Sequence, residues 1–230
     1  MSDIEIRPYT PGDRTGVRHV CYQTGYMGKP ASWMWRDIDS FSDLFSSYYT
    51  DHEPESALVA TKDGEIVGYL LGCLDTRTVG NPAAIIGHHI LHRGICFRPG
   101  TAGFIWRSAG DVMVDLARRR LPPAAVVDPR WPAHLHINLL PVARGKGVGG
   151  TLMRQWLDCL RERGIAGCHL ETLAENTSGV AFFEAMGFRR EGGPHLIPGM
   201  RTPTGARHHI QLMTQTIQTT QTIQPLTPTG

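Results

Sequence analysis

One stretch constrains this chain more than any other: Arg144-Gly145-Lys146-Gly147-Val148-Gly149, lying between a strand and a helix. Ahead of it, His134-Leu135-His136-Ile137-Asn138-Leu139-Leu140 reads as a strand that Pro141 stops. Behind it, Gly147 to Arg163 reads as an amphipathic helix, with Leu152, Trp156, Leu157 and Leu160 at helical spacing and Gly164 ending it. Glycines let a backbone turn tightly and come close to a ligand. The free N–H groups of a first helical turn point outward, and the helix dipole adds partial positive charge. Such a junction is a cradle for a diphosphate. Arg144 and Lys146 add cationic donors. Spacing excludes two other phosphate loops: there is no G-x-x-x-x-G-K-[ST] order, and the glycine intervals do not make G-x-G-x-x-G. Taken alone, the turn is equally a flexible lead into a helix.

The remaining pattern predicts a mixed α/β domain. Ile4 to Arg7 alternates and meets Pro8, a short first strand; Asp13 is placed to cap a helix running to about Tyr22. A second helical stretch covers roughly 37–49, among aromatic residues whose first expectation is core packing. Ala57 to Lys62 and Glu65 to Leu74 flank Asp63-Gly64, a strong hairpin signal. Residues 76–131 are expected to be an insertion with its own helices, one from about Ala109 to Arg120. Cys168 to Leu173 is expected to be a strand, Ser178 to Met186 a helix, Gly187-Phe188 the lead into another strand, and Arg207 to Met213 a last strand. Residues 214–230 repeat Gln, Thr and Ile and read as a low-complexity tail behind a single domain over 1–213.

Two segments in order resemble the GNAT acetyltransferase superfamily. Arg144-x-x-Gly147-x-Gly149 is similar to its acetyl-CoA loop, and Asn176 to Phe188 is similar to its Asn-x-x-Ala-x-x-x-Tyr-x-x-x-Gly-Phe stretch. The likeness is firm from about His134 to Glu191 and absent from the insertion and tail. The run Ala133 to Pro141 is also similar to a subgroup near the acetyltransferase-like domain of bacterial O-GlcNAcases. The resemblance implies a mixed, mostly antiparallel central sheet flanked by helices, and acetyl-CoA as co-substrate. It implies that Arg144, Gly145, Lys146, Gly147, Val148 and Gly149 hold the diphosphate. Leu139, Leu140 and Val142 would border the pantetheine arm, Asn176 would touch the coenzyme beyond the phosphates, and Phe182 and Phe183 would pack near the thioester.

Acetyl transfer to an amine needs a base, a polarised carbonyl and a way for the thiolate to leave. The resemblance places a base at Glu171, five residues before Asn176; a paired or surface carboxylate is the equal alternative. His134 and His136 share one face of their strand and suit proton relay, although a structural histidine is the commoner outcome. Phe183 stands where many family members carry Tyr and cannot donate a proton. Tyr26, Trp33 and Trp35 are the candidate acceptor-pocket residues. An active N-acetyltransferase acting on a small-molecule or peptide amine competes with an acyl-CoA-binding module that has lost turnover.

Composition removes other classes. A formal net charge of +2 argues against a nucleic-acid binder. Five cysteines without CxxC spacing predict buried, reduced thiols rather than zinc or disulfides. His88, His89 and His92 lack a fitting carboxylate or thiol companion, and no metal is expected; His208-His209 alternates across a strand and is not expected to converge. The N-terminal residues lack an apolar signal region and no stretch approaches 18 apolar residues, so the expectation is a cytoplasmic protein without membrane contact. Homodimers occur among similar proteins.

Overall fold

The computed structural model describes residues 3–79, 82–119, 126–202 and 204–217. Seven strands form one sheet in the order β1-β2-β3-β4-β5-β7-β6. They are β1 (Glu5–Pro8), β2 (Ala57–Lys62), β3 (Glu65–Cys73), β4 (Ala133–Leu139), β5 (Gly167–Leu173), β6 (Arg189–Arg201) and β7 (Arg207–Thr216). The helices are α1 (Arg14–Thr24), α2 (Ile38–Ser42), α3 (Tyr48–His52), α4 (Pro82–Arg93), α5 (Ala102–Ala117), α6 (Val148–Glu162) and α7 (Thr177–Ala185). Every strand pair is antiparallel except β4 with β5. This is the mixed, mostly antiparallel sheet between helices that the sequence predicts.

The β2–β3 hairpin turns through Asp63 and Gly64 with φ of 54° and 84°, the two positive values that a type I′ turn requires. The β4–β5 pair is parallel, so the chain must cross over between them, and α6 makes that connection. Their pairing is short: Ala133 faces Cys168, His134 faces His169, and there it ends. Beyond His134 the two strands diverge, which opens the sheet toward the start of α6.

Each sheet face has its own core. On one, α6 buries Leu152, Met153, Trp156, Leu157 and Leu160 with Leu135, Leu170 and Met213. Gly72 on β3 is what admits Trp156, because any β-carbon there would strike the indole ring. On the other face, Val17, Val20 and Cys21 of α1 pack with Trp35, Phe41, Tyr69 and Leu71. Cys21, Cys73, Cys96 and Cys168 are buried, and none of the five cysteines is in a disulfide.

Several boundaries shift from the sequence expectation. The second helical stretch runs on to His52 and includes a π-helical turn over Asp43–Ser47. In the 76–131 segment α5 begins at Ala102, right after Pro99-Gly100, seven residues before the expected start. Asp13 stands at the head of α1, but its carboxylate turns back to Thr10 N at 2.8 Å and Arg7 Nη1 at 2.7 Å instead of capping that helix. The tail starts later than 214: Thr214, Gln215 and Thr216 belong to β7, and Ile217 is buried in the core. Alternation carried that strand onward although its composition reads as low-complexity; the tail beyond, 218–230, lies outside the described residues.

Candidate active site

Where β4 and β5 part, a cleft of about 610 Å³ opens, within the range of small-ligand sites. Its floor is β4 from Leu135 to Leu139 and β5 from Leu170 to Thr172. One end is the Arg144–Gly150 turn, one side is the start of α7, and the opposite side is Thr24, Met27 and Gly28.

The glycine turn behaves as its sequence demands. Gly145 and Gly147 take φ of 70° and 79°, and an added β-carbon at either would enter open space. Gly147 is the N-cap of α6, so the amides of the following turn lack carbonyl partners in the helix. Gly149 packs close to Leu139 and Phe182, where a β-carbon would lie 3.3–3.4 Å from their side chains. An open cradle of amides, cationic residues beside it and an unpaired strand edge fit the diphosphate and pantetheine of acetyl-CoA.

The expected coenzyme residues divide. Leu139, Arg144, Gly145, Gly147, Val148, Gly149, Asn176, Phe182 and Phe183 line the cleft. Lys146 is exposed beside it. Leu140 does not line it: just past the end of β4, its amide bonds to Val67 O at 2.8 Å and its side chain is drawn into the core around α1. Val142 is 41% exposed and also stands outside. The Asn176 side chain caps α7, its Oδ1 accepting from Gly179 N at 3.2 Å, which leaves its amide hydrogens for a ligand. Phe183 is buried against Phe182 and Phe188, and among the described residues no tyrosine lines the cleft.

Glu171 and His136 face the cleft; His134 does not. Glu171 is exposed at the cleft surface, and partial desolvation by the surrounding walls moves its carboxyl upward from the ordinary value. Burial pushes His136 down to about 4. His134 is lowered further by burial and by His136 and His169; its Nδ1 is 2.9 Å from the Tyr49 hydroxyl. The His134 and His136 rings lie 4.8 Å apart, so the shared environment exists, and it keeps both imidazoles neutral. Burial works against proton uptake by the imidazoles and in favour of proton uptake by the Glu171 carboxylate.

The aromatic candidates part ways. Trp35 is a core residue, 2% exposed, donating from Nε1 to Ser40 Oγ at 2.9 Å; it packs on Phe41 and Phe104 and is closed to substrate. Trp33 is half exposed, edge-on to Tyr26 at 5.0 Å. Tyr26 is buried, its hydroxyl 2.8 Å from His208 Nε2. His208 and His209 do converge, against expectation: their Nδ1 atoms lie 3.0 and 2.9 Å from the two oxygens of Glu175. Glu175 follows the end of β5, where one carboxylate reaches both faces of β7. Burial alone would raise it, but the hydrogen bonds from His209 and the close approach of the His208 ring hold it at about 2. His89 meets Asp43 at 3.1 Å; among the described residues no three His, Cys, Asp or Glu side chains gather as metal ligands.

The acetyltransferase (GNAT) family model matches residues 27–188, and the chain belongs to that family. Its members are acyltransferases that use acetyl-CoA. The crystal structure of SsHAT superposes with a TM-score of 0.61 at 26% identity, covering 94% of this chain and 99% of that one. The structure of yncA from Salmonella typhimurium, solved with its cofactor acetyl-CoA, gives 0.56 at 14% identity over 94% and 95%. A mycothiol acetyltransferase of Acidothermus cellulolyticus is 22% identical over 190 residues, 83% of this chain and 46% of that protein. One of Renibacterium salmoninarum is 33% identical over 54 residues, 24% of this chain and 16% of that protein. The chain therefore spans less than half the length of these curated relatives. No described helix is long and apolar enough to cross a membrane.

Proposed function

We propose that this chain moves the acetyl group of acetyl-CoA onto a primary amine of a small molecule or peptide, by direct attack in a ternary complex. The observation that carries this reading is the sharing of one cleft by the amide cradle, the open edge of β4 and the carboxylate of Glu171. The coenzyme supplies an acetyl group activated as a thioester. The turn at Arg144–Gly149 binds its diphosphate, and β4 orients its arm. Glu171 takes the proton that an ammonium must lose before it attacks. Its environment puts proton uptake closer to neutral pH than an ordinary glutamate would. Apolar walls from Leu135, Ile137, Leu170, Phe182 and Phe183 exclude water from the thioester end. Among the described residues no tyrosine lines the cleft, so the thiolate departs without a tyrosine acid or takes its proton from water.

Phe183 favours one second reading, a coenzyme-binding module without turnover. The two separate by measuring thiol release from acetyl-CoA with agmatine, phosphinothricin, an amino sugar and an alanine-starting peptide. The enzyme reading predicts release above background hydrolysis with at least one amine. It also predicts that Glu171→Gln lowers kcat/KM about 100-fold. The sign follows from the base: activity rises with pH as Glu171 deprotonates, so the rising limb is displaced upward from that of an ordinary glutamate and disappears in the variant. Tight acetyl-CoA binding with every amine inert supports the module instead. A pH profile unchanged in Glu171→Gln removes Glu171 as the base.

A further inference from the structure

The Tyr26–Lys29 turn, which touches the coenzyme loop at the cleft wall, is held at both ends. Tyr26 and Lys29 exchange backbone hydrogen bonds of 2.9 Å around Met27 and Gly28. Met27 and Gly28 have φ of 48° and 77°, the geometry of a type I′ turn. A methionine is strained at such an angle and keeps it only where neighbours over-determine the backbone. Two anchors do so. The Gly28 carbonyl accepts from Arg144 Nη2 at 2.6 Å, while Arg144 Nε donates to Leu139 O at 2.9 Å. At the other end the Tyr26 hydroxyl meets His208 Nε2, and His208 Nδ1 lies 3.0 Å from Glu175. Tyr26 and His208 are 8% and 1% exposed. Glu175 is fixed in turn by His209, through Nδ1 at 2.9 Å and its backbone amide at 3.1 Å.

We propose that His208 is a positioning residue for the coenzyme loop. Through Tyr26 it sets the Met27–Gly28 turn, and the Gly28 carbonyl then orients the Arg144 guanidinium toward the diphosphate cradle. The proposal rests on the acetyl-CoA reading of the cleft. A guanidinium carries five N–H donors in a rigid planar fork. The carbonyls of Gly28 and Leu139 occupy two, which fixes the plane and leaves the others for phosphate oxygens. An arginine ordered before binding loses less freedom when the ligand arrives. His208, remote in sequence and buried beneath the cleft, therefore acts on coenzyme affinity without touching the coenzyme.

Calorimetry with acetyl-CoA and with adenosine 3′-phosphate 5′-diphosphate, the coenzyme's nucleotide end, tests this. Tyr26→Phe and His208→Ala are each expected to weaken both ligands about tenfold. The double variant is expected to be no weaker than His208→Ala, because both changes cut one chain of contacts. His208→Gln, which still offers the tyrosine an acceptor, stays within threefold of wild type. In an Arg144→Ala background His208→Ala costs nothing further. A merely structural role gives additive losses, loss in the Arg144→Ala background, or no rescue by glutamine, and any of these overturns the proposal. Wild-type affinities in both single variants overturn it as well. Wild-type protein that binds neither ligand removes the acetyl-CoA reading and this proposal with it; wild-type binding with unaffected variants removes this proposal alone.

Discussion

The two ends of the molecule are attached to the sheet by different physics. Helix α6, which carries the coenzyme turn, is held by apolar burial: Leu152, Met153 and Leu160 are fully buried, and Trp156 lies in the gap that Gly72 leaves. The helices of the 76–131 segment combine a thinner apolar contact, through Ile86, Ile90, Phe104 and Ile105, with ion pairs. Arg93 and Arg98 reach Asp37 at 3.0 and 2.6 Å, ordering α4 and the residues after it against α2. Arg201 and Arg207 reach Asp111 and Asp115 at 2.6 Å each, ordering α5 against β6 and β7. Meanwhile α5 leaves Trp106, Met113 and Val114 exposed. Apolar packing fixes a helix start to a fraction of an ångström, which a diphosphate cradle needs. Ion pairs on long side chains hold a wall in place while tolerating change in its shape.

The largest effect that sharpens this contrast is in the core. Trp156→Ala removes a buried indole and leaves a cavity beside Gly72, an expected loss of about 3–5 kcal/mol in chemical unfolding. Coenzyme affinity should fall with it, since the helix start loses its seat. A cost below 1 kcal/mol would mean that α6 is not seated by packing. Asp37→Ala should do less. The Arg93 and Arg98 side chains remain 32% and 49% exposed, so each released cation keeps much of its water. We expect about 1–2 kcal/mol, with faster hydrogen exchange confined to α4, the residues around 98–101 and the start of α2, which the same carboxylate caps through Ser40 N, and coenzyme affinity unchanged. Equal losses from the two variants would erase the distinction between the regions.

The same contrast decides what the sequence made legible. The coenzyme half rests on local rules: a strand stopped by Pro141, glycines at positive φ, apolar residues at helical spacing, Asn176 opening a helix. Each is a short-range consequence of side-chain type, and the Asp63-Gly64 hairpin is legible for the same reason. The acceptor side rests on partners far apart in the chain. Nothing near His208 or His209 announces that Glu175 will lie between them, and nothing near Trp35 says that Ser40 and Phe104 will enclose it. Met27-Gly28 lacks the Asn or Asp that usually marks a type I′ turn; its geometry is imposed by Arg144 and Tyr26. Leu140 and His134 stay outside the cleft for equally remote reasons: Leu140 is drawn into the core around α1, and His134 is held against Tyr49.

The account depends on the amides at the start of α6 receiving a diphosphate, and one pair of variants tests that with strain held equal. Gly147 and Gly164 both have positive φ, 79° and 67°, and both face open space, but only Gly147 lines the cleft. Acetyl-CoA titrated calorimetrically into Gly147→Trp and Gly164→Trp should lose at least about 100-fold affinity in the first, which is about 2.7 kcal/mol, and little in the second. Equal acetyl-CoA affinity in the two variants would contradict the account.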